Sequence, residues 1–155
     1  MFADSHCHLD GDTYGGDAGV DEVIDRARAA GVSAFVSIGS GTPDGLRAAV
    51  RVASRHPDVW CAVGLHPHDA SKWDDAFEAL LRELVTGTRV VAVGEMGLDF
   101  HYDLSPRDRQ RDVLARQVRL ARSVDQPIVV HDREAGDETF EVVRDNGGFE
   151  GPGAL

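Results

Sequence analysis

Four side chains of the types that bind metal ions follow short apolar runs in this chain: His6, His8, Glu95 and His131. Imidazole and carboxylate groups are common ligands of divalent ions such as zinc, manganese and magnesium. His6 and His8 are two residues apart, and residues two apart in an extended strand point to the same side, so both rings can reach one ion. The sequence therefore predicts a site for divalent metal.

Each of these side chains stands at the carboxyl end of a predicted strand. FADS precedes His6, VVAVG precedes Glu95, and residues 128–130 precede His131. Enzymes built on a barrel of parallel strands carry their chemistry at the carboxyl ends of the strands. Because the same order recurs in three segments, we expect these side chains to meet at one edge of a sheet.

The elements that must position these residues alternate between apolar strands and amphipathic helices. Gly31 ends the first helix, Thr42 and Pro43 open the second, and Ser105 with Pro106 has the pattern of a cap for the fourth. The predicted strands are 2–5, 34–38, 60–64, 90–93 and 128–130, and the predicted helices are 21–30, one beginning at 42, 74–86, 105–123 and 139–145.

Strict alternation of strand and helix implies a parallel sheet covered by helices. Five βα units suffice for a doubly wound sheet, whereas a closed (β/α)8 barrel needs eight and about 250 residues. Ligands from the first, fourth and fifth strands converge more readily in a sheet that curls. We therefore predict an α/β fold, a partial TIM barrel formed by the first five βα units, with residues 1–155 as a single incomplete domain.

The composition and charge of the chain argue against several classes of protein. The net charge of −11 argues against broad electrostatic binding of nucleic acid, so such a substrate would have to be held locally. No segment approaches the roughly 20 apolar residues of a membrane span, and no secretory signal is recognisable. With two cysteines, one of them inside the predicted ligand strand, a disulfide framework is not expected and a reducing cytoplasm is the expected location.

Four segments of the chain have distinctive patterns: SHCHLD, GLHPH, GEMGLDFHYDLSPRDRQ and PIVVHDREA. Together they resemble the TatD family of metal-dependent deoxyribonucleases, a branch of the amidohydrolase-like barrels. The resemblance implies a TIM-type barrel with one or two divalent ions (Mg, Mn or Zn) that hydrolyses phosphodiester bonds from the 3′ end of single-stranded DNA. Some relatives also hydrolyse ester bonds on mischarged transfer RNA.

The resemblance also implies roles for individual residues. His6 and His8 correspond to ligands of a first metal ion, Glu95 to a catalytic carboxylate that bridges two ions, and His131 to a ligand of the second. Purely structural roles stay open for two of these residues: Glu95 can instead form an ion pair with an arginine, and His131 can cap a helix. Asp99 either orients a ligand or holds its own turn.

Two further residues are candidates for substrate binding. His66 corresponds to a side chain that faces the substrate phosphate, and His68 is a weaker candidate in the same loop. Arg133 can bind phosphate with its two-pronged guanidinium, or it can pair with Asp132 or Glu134 beside it.

The chain also departs from the family pattern. Family members continue with a His-Cys-Phe-Ser-Gly motif and a Thr-Asp motif that supply further ligands, and neither occurs in the 155 residues. We expect a partial reading frame of a nuclease, with a partner chain or self-association completing the barrel as a second possibility. The alternative functions are an inactive fragment or metal-binding interaction module, and another amidohydrolase acting on ester or amide bonds.

Overall fold

A computed structural model of the protein describes residues 1–9, 11–39 and 41–153. Five strands form one parallel sheet in the order β1-β2-β3-β4-β5, and the helices between them cover one side of it. The sheet curls into a half-barrel, so the predicted partial TIM barrel is confirmed. The strands are β1 Phe2–Cys7, β2 Val32–Gly39, β3 Val59–Val63, β4 Val90–Asp99 and β5 Ile128–Arg133. The helices are α1 Gly11–Tyr14, α2 Asp17–Ala29, α3 Pro43–Arg55, α4 Asp75–Leu84, α5 Arg107–Ser123 and α6 Asp137–Asp145, with 3₁₀ turns at Pro67–Lys72 and Gly148–Glu150.

Helix ends follow the predicted capping chemistry in two places and depart from it in a third. Thr42 caps α3 by accepting a hydrogen bond from the Gly45 N–H at 3.0 Å, and Gly31 follows α2 with a φ of 95°. Ser105 does not cap α5, which begins at Arg107. Its hydroxyl instead donates to the His68 carbonyl oxygen at 2.8 Å, so the sequence signal belongs to a loop contact.

Strand length is the main difference from the predicted elements. β1, β4 and β5 continue through His6, Glu95 and His131, so these residues lie within strands rather than just beyond them. A register irregularity in β4 lies between Val93 and Met96, around Glu95. Such bulges commonly re-aim a side chain next to a functional site. Apolar runs alone underestimated these strands, because β5 ends in polar residues and the apolar pattern of β4 is interrupted by Gly94, Glu95 and Gly97, although its Met96 and Leu98 are buried.

Two glycines of β4 let β5 approach closely. Gly94 and Gly97 have φ values of 143° and 158°, which L side chains rarely adopt. A Cβ atom on Gly97 would lie 1.8 Å from the His131 carbonyl oxygen, and one on Gly94 would lie 2.4 Å from that of Val129. The absence of side chains at these two positions therefore brings His131 beside Glu95.

The core has two unequal parts. The larger cluster packs the helices against one side of the sheet, with Ile24, Leu46, Leu81 and Leu114 fully buried. A small cluster of Ile38, Ala62, Ala92 and Val129 lies on the other side. Within the described part of the chain, no helix has the length and apolar character needed to cross a membrane.

Candidate metal centre

The first group of metal-type side chains joins β1 to β4. His6, His8 and Glu95 each place one ligand atom within 4.8 Å of the others, and His6 Nε2 lies 3.4 Å from Glu95 Oε2. Cys7 points away from them and donates its thiol to the Val36 carbonyl oxygen. The alternation of side chains along β1 therefore brings the two imidazoles to one side, as their spacing predicts.

A second group joins the loop after β3 to β5. His66, His68 and His131 also place ligand atoms within 4.8 Å of one another, and His66 Nε2 lies 3.1 Å from His131 Nδ1. His131 Nδ1 is 3.2 Å from Glu95 Oε1. One carboxylate oxygen of Glu95 thus faces His6 and the other faces His131, so the Glu95 carboxylate lies between the two groups.

Asp99 adds a second carboxylate that is completely buried. Its Oδ2 atom lies 2.6 Å from His68 Nε2 and 3.2 Å from His131 Nε2. Its Oδ1 atom accepts the backbone N–H groups of His101 and Tyr102. Sequence reasoning left Asp99 between a ligand-orienting role and a turn-holding role, and the structure shows contacts of both kinds. The sequence could have identified Asp99 by its position four residues after Glu95, which places both side chains on the same side of β4.

Two buried glutamines of α5 fasten the loops that carry these groups. Gln117 accepts the Leu65 N–H at 2.7 Å and donates to the Leu65 carbonyl oxygen at 3.0 Å. Gln110 accepts the Asp99 N–H at 2.8 Å and donates to the carbonyl oxygens of Asp99 and Ser105. The sequence pattern of the helix could not show that the Gln117 amide binds both backbone groups of Leu65, because that contact spans 52 residues.

The ionisable groups of the site have pKa values that are shifted in different directions. Burial, with the nearby charge of His131, lowers the pKa of His66 to about 4. The hydrogen bond with Glu95, assisted by Asp99 and opposed by burial, raises the pKa of His131. Burial opposes ionisation of Asp99, but the Tyr102 N–H and the two histidines outweigh it and lower its pKa to about 2. Burial likewise opposes ionisation of Glu95, yet its histidine contacts hold the pKa of Glu95 below its usual value.

These groups suit a divalent cation. Near neutral pH Glu95 and Asp99 are ionised and His66 is neutral, so the site offers negative oxygens and imidazole lone pairs. No lysine or arginine in the described part of the chain forms an ion pair with either carboxylate. Nitrogen and oxygen donors from β1, β4, β5 and the loop after β3 therefore converge where an ion would neutralise them.

Arg133 lies at the exposed rim of this site. Its guanidinium carbon is 4.8 Å from the centre of the Tyr102 ring, and Tyr102 is 52% exposed. The two acidic neighbours named as alternative partners are engaged elsewhere: Asp132 accepts backbone N–H groups, and Glu134 lies 2.7 Å from His101 Nδ1. Arg133 is therefore placed on an aromatic ring beside the histidines.

Known proteins resemble this chain in sequence and fold. A family profile described as TatD related DNase matches residues 3–154. An uncharacterized metal-dependent hydrolase YabD of Bacillus subtilis is 37% identical over 147 residues, which is 95% of this chain and 56% of that protein. A 3′-5′ ssDNA/RNA exonuclease TatD of a Rahnella species is 41% identical over 117 residues, covering 75% of this chain and 44% of the relative.

Solved structures agree with these relatives. The crystal structure of YjjV, a TatD homologue from Escherichia coli, superposes with a TM-score of 0.83 at 29% identity, covering 94% of this chain and 56% of that one. A TatD family hydrolase from Entamoeba histolytica has the same fold, with a TM-score of 0.83 at 22% identity over 99% of this chain and 56% of its own. The chain spans about half the length of the curated relatives that it matches. With the family profile covering nearly every residue, the chain belongs to the TatD-related DNase family.

Proposed function

We propose that this chain provides the metal centre of a hydrolase that cleaves phosphodiester bonds and removes nucleotides from the 3′ end of single-stranded DNA. The observation that carries the proposal is the Glu95 carboxylate, with one oxygen facing His6 and the other facing His131. The exonuclease name of the Rahnella relative supports the choice of substrate. Cleavage of another ester or amide bond by the same centre is the alternative reaction.

The proposed ligands are His6, His8, Glu95 and His131, which together would hold one or two divalent ions. Imidazole nitrogen favours zinc, while carboxylate oxygen suits manganese and magnesium. A divalent ion held here supplies Lewis acidity, which makes hydroxide available near neutral pH and stabilises the negative charge of a phosphodiester.

Two residues would act on the substrate. The His68 N–H lies 3.2 Å from His66 Nδ1, so a neutral His66 carries its proton on Nε2 and can donate it to a phosphate oxygen. Arg133 projects from the exposed end of β5 and can bind a phosphate through two parallel N–H groups. These two contacts would hold a strand end locally, despite the net charge of −11.

A second candidate function is a metal-binding module without hydrolytic activity. Open sheet edges support such a module, since β1 and β5 stand first and last in the strand order and Phe2 of β1 is 68% exposed. We propose that residues 1–155 form one domain and self-associate or bind a partner chain through these edges, which sedimentation at several concentrations would test.

The decisive experiment follows 5′-labelled single-stranded DNA with manganese or magnesium. The unaltered chain should give a ladder shortened from the 3′ end, and the His6→Ala, Glu95→Ala double variant should give none. His56→Gln is the matched control, because it removes a histidine whose contacts are to α2, away from the site. Saturable metal binding without any ladder from the unaltered chain would contradict hydrolysis and support the binding module.

A further inference from the structure

Asp99 is the one fully buried carboxylate among the described residues of the site, and all its partners are nitrogen atoms. Both of its oxygens are occupied: Oδ1 by two backbone N–H groups and Oδ2 by two imidazoles. An ionised carboxylate can only accept hydrogen bonds. An imidazole nitrogen that faces Asp99 therefore forms a hydrogen bond with it only when that nitrogen carries a proton.

Two carboxylates compete for the proton of a neutral His131, because Nε2 faces Asp99 Oδ2 and Nδ1 faces Glu95 Oε1, both at 3.2 Å. His66 favours one of them: its Nδ1 accepts the His68 N–H, so its own proton lies on Nε2, which is 3.1 Å from His131 Nδ1. His131 Nδ1 is then an acceptor, and the proton of the neutral ring lies on Nε2, where Asp99 accepts it. The lone pair then resides on Nδ1. Nδ1 is the atom that lies 3.2 Å from Glu95 Oε1 and 3.1 Å from His66 Nε2. The nitrogen able to bind a cation is thus directed into the candidate metal centre.

The same carboxylate oxygen also holds the loop after β3. His68 Nε2 approaches Asp99 Oδ2 to 2.6 Å, and the His68 backbone N–H contacts His66 Nδ1. Asp99 cannot move away easily, because Gln110 bonds both its N–H and its carbonyl group. One fixed carboxylate thereby sets the orientation of histidines from two different chain segments.

We propose that Asp99 is a positioning residue that holds His131 in the Nε2–H tautomer and so presents Nδ1 to a divalent ion. The proposal rests on the proposed metal centre and deepens it. Carboxylates that accept the second N–H of a metal-binding histidine fix ring orientation, and their loss typically weakens metal binding about 10- to 100-fold. A carboxylate that only held the turn at residues 99–102 would leave the His131 tautomer unchanged.

The test uses imidazole ¹⁵N NMR of the metal-free chain, at a pH where every imidazole is neutral. The unaltered chain should show His131 protonated on Nε2. Asp99→Asn and Asp99→Ala should shift part or all of that proton to Nδ1. His68→Gln should retain the Nε2–H form of His131, because it removes only the other histidine on the same oxygen. Asp103→Asn, a nearby exposed carboxylate paired with Arg107, is the charge-matched control.

Calorimetric titration with zinc, which needs no DNA, provides the second readout. We expect about a 10- to 100-fold loss of zinc affinity in the two Asp99 variants and no loss in Asp103→Asn. An unchanged tautomer with zinc affinity within about twofold of the unaltered chain would overturn the proposal. So would a protonated Nδ1 on His131 in the unaltered chain, a result that stands even if the variants fail to fold. Failure of hydrolysis alone would appear only in the DNA assay, with tautomer and zinc affinity as expected here.

Discussion

Histidine and carboxylate side chains meet at both ends of the sheet, with opposite charge balance. At the amino end, His56 Nε2 lies 2.9 Å from Asp21 Oδ1, but Asp21 also pairs with Arg55, and Asp58 pairs with Arg28 at 2.5 Å. We call this set of five residues the amino-end network. At the carboxyl end, Glu95 and Asp99 contact imidazoles and backbone N–H groups, without an arginine or lysine partner among the described residues.

The difference separates a structural contact from a candidate binding site made of the same residue types. Arginine stays charged at any physiological pH, so the amino-end network is neutralised permanently. Imidazole is charged only when protonated, so the carboxyl end keeps negative charge that a proton or a metal ion must neutralise. Among the described residues, the lack of an arginine or lysine partner for Glu95 and Asp99 therefore indicates a binding site better than the presence of histidines does.

The largest expected effect is on hydrolysis, which should depend on the carboxyl end of the sheet and not on the amino end. Glu95→Gln should reduce hydrolysis of single-stranded DNA by about 10³-fold, equivalent to about 4 kcal/mol, because the carboxylate between the two groups is lost. Initial rates at saturating manganese measure this. His56→Gln, in the amino-end network, should keep its rate within about twofold. Equal losses in the two variants would remove the distinction between the ends.

Metal binding should stabilise the protein only through the carboxyl end of the sheet. A divalent ion at about 100 times its dissociation constant should raise the free energy of unfolding of the unaltered chain by about 2.7 kcal/mol through binding to the folded state. Thermal unfolding with zinc or manganese, before and after a chelator, measures the gain. Glu95→Gln should lose most of it. A full gain in that variant would place the bound ion elsewhere.

A substitution in the amino-end network should lower the free energy of unfolding without changing metal binding. Asp58→Asn leaves the Arg28 guanidinium, which also contacts Asp25, without its closest partner. We expect a loss of about 1–2 kcal/mol in the free energy of unfolding and unchanged zinc affinity. Urea unfolding and zinc titration of the same preparation provide both values. Reduced zinc affinity here would show that the two ends are coupled.

The effect that is smallest near neutral pH is that of His66, which appears only as a pH dependence in acid. Its folded pKa of about 4 lies below the ordinary value of 6.5, so its contribution to stability is complete above pH 6.5 and is lost as the pH falls towards 4. His66→Gln should abolish this contribution, which amounts to about 1.4 kcal/mol per pH unit at most. Urea unfolding of both chains across this range measures the difference. His131, whose pKa is raised, contributes in the opposite direction in both chains.

The sequence predicted the parallel half-barrel and the meeting of Glu95 with three histidines, because alternation and strand-end placement are local patterns. It underestimated β4, which two glycines and Glu95 interrupt, and β5, whose last residues are polar. It could not assign Asp99, since hydrogen bonds to residues 31 and 32 positions away along the chain depend on tertiary packing. Ser105 was misjudged for the same reason, as its hydroxyl bonds across 37 residues. The metal and substrate roles stay predictions.

The paired glutamines of α5 have a consequence for local opening. Gln117 covers the Leu65 N–H and Gln110 covers the Asp99 N–H, so the loops after β3 and β4 are both attached to one helix. If α5 detaches as a cooperative unit, both amide hydrogens become exchangeable in the same event. Hydrogen–deuterium exchange should then give equal opening free energies at Leu65 and Asp99, and the two histidine-bearing segments would lose order together.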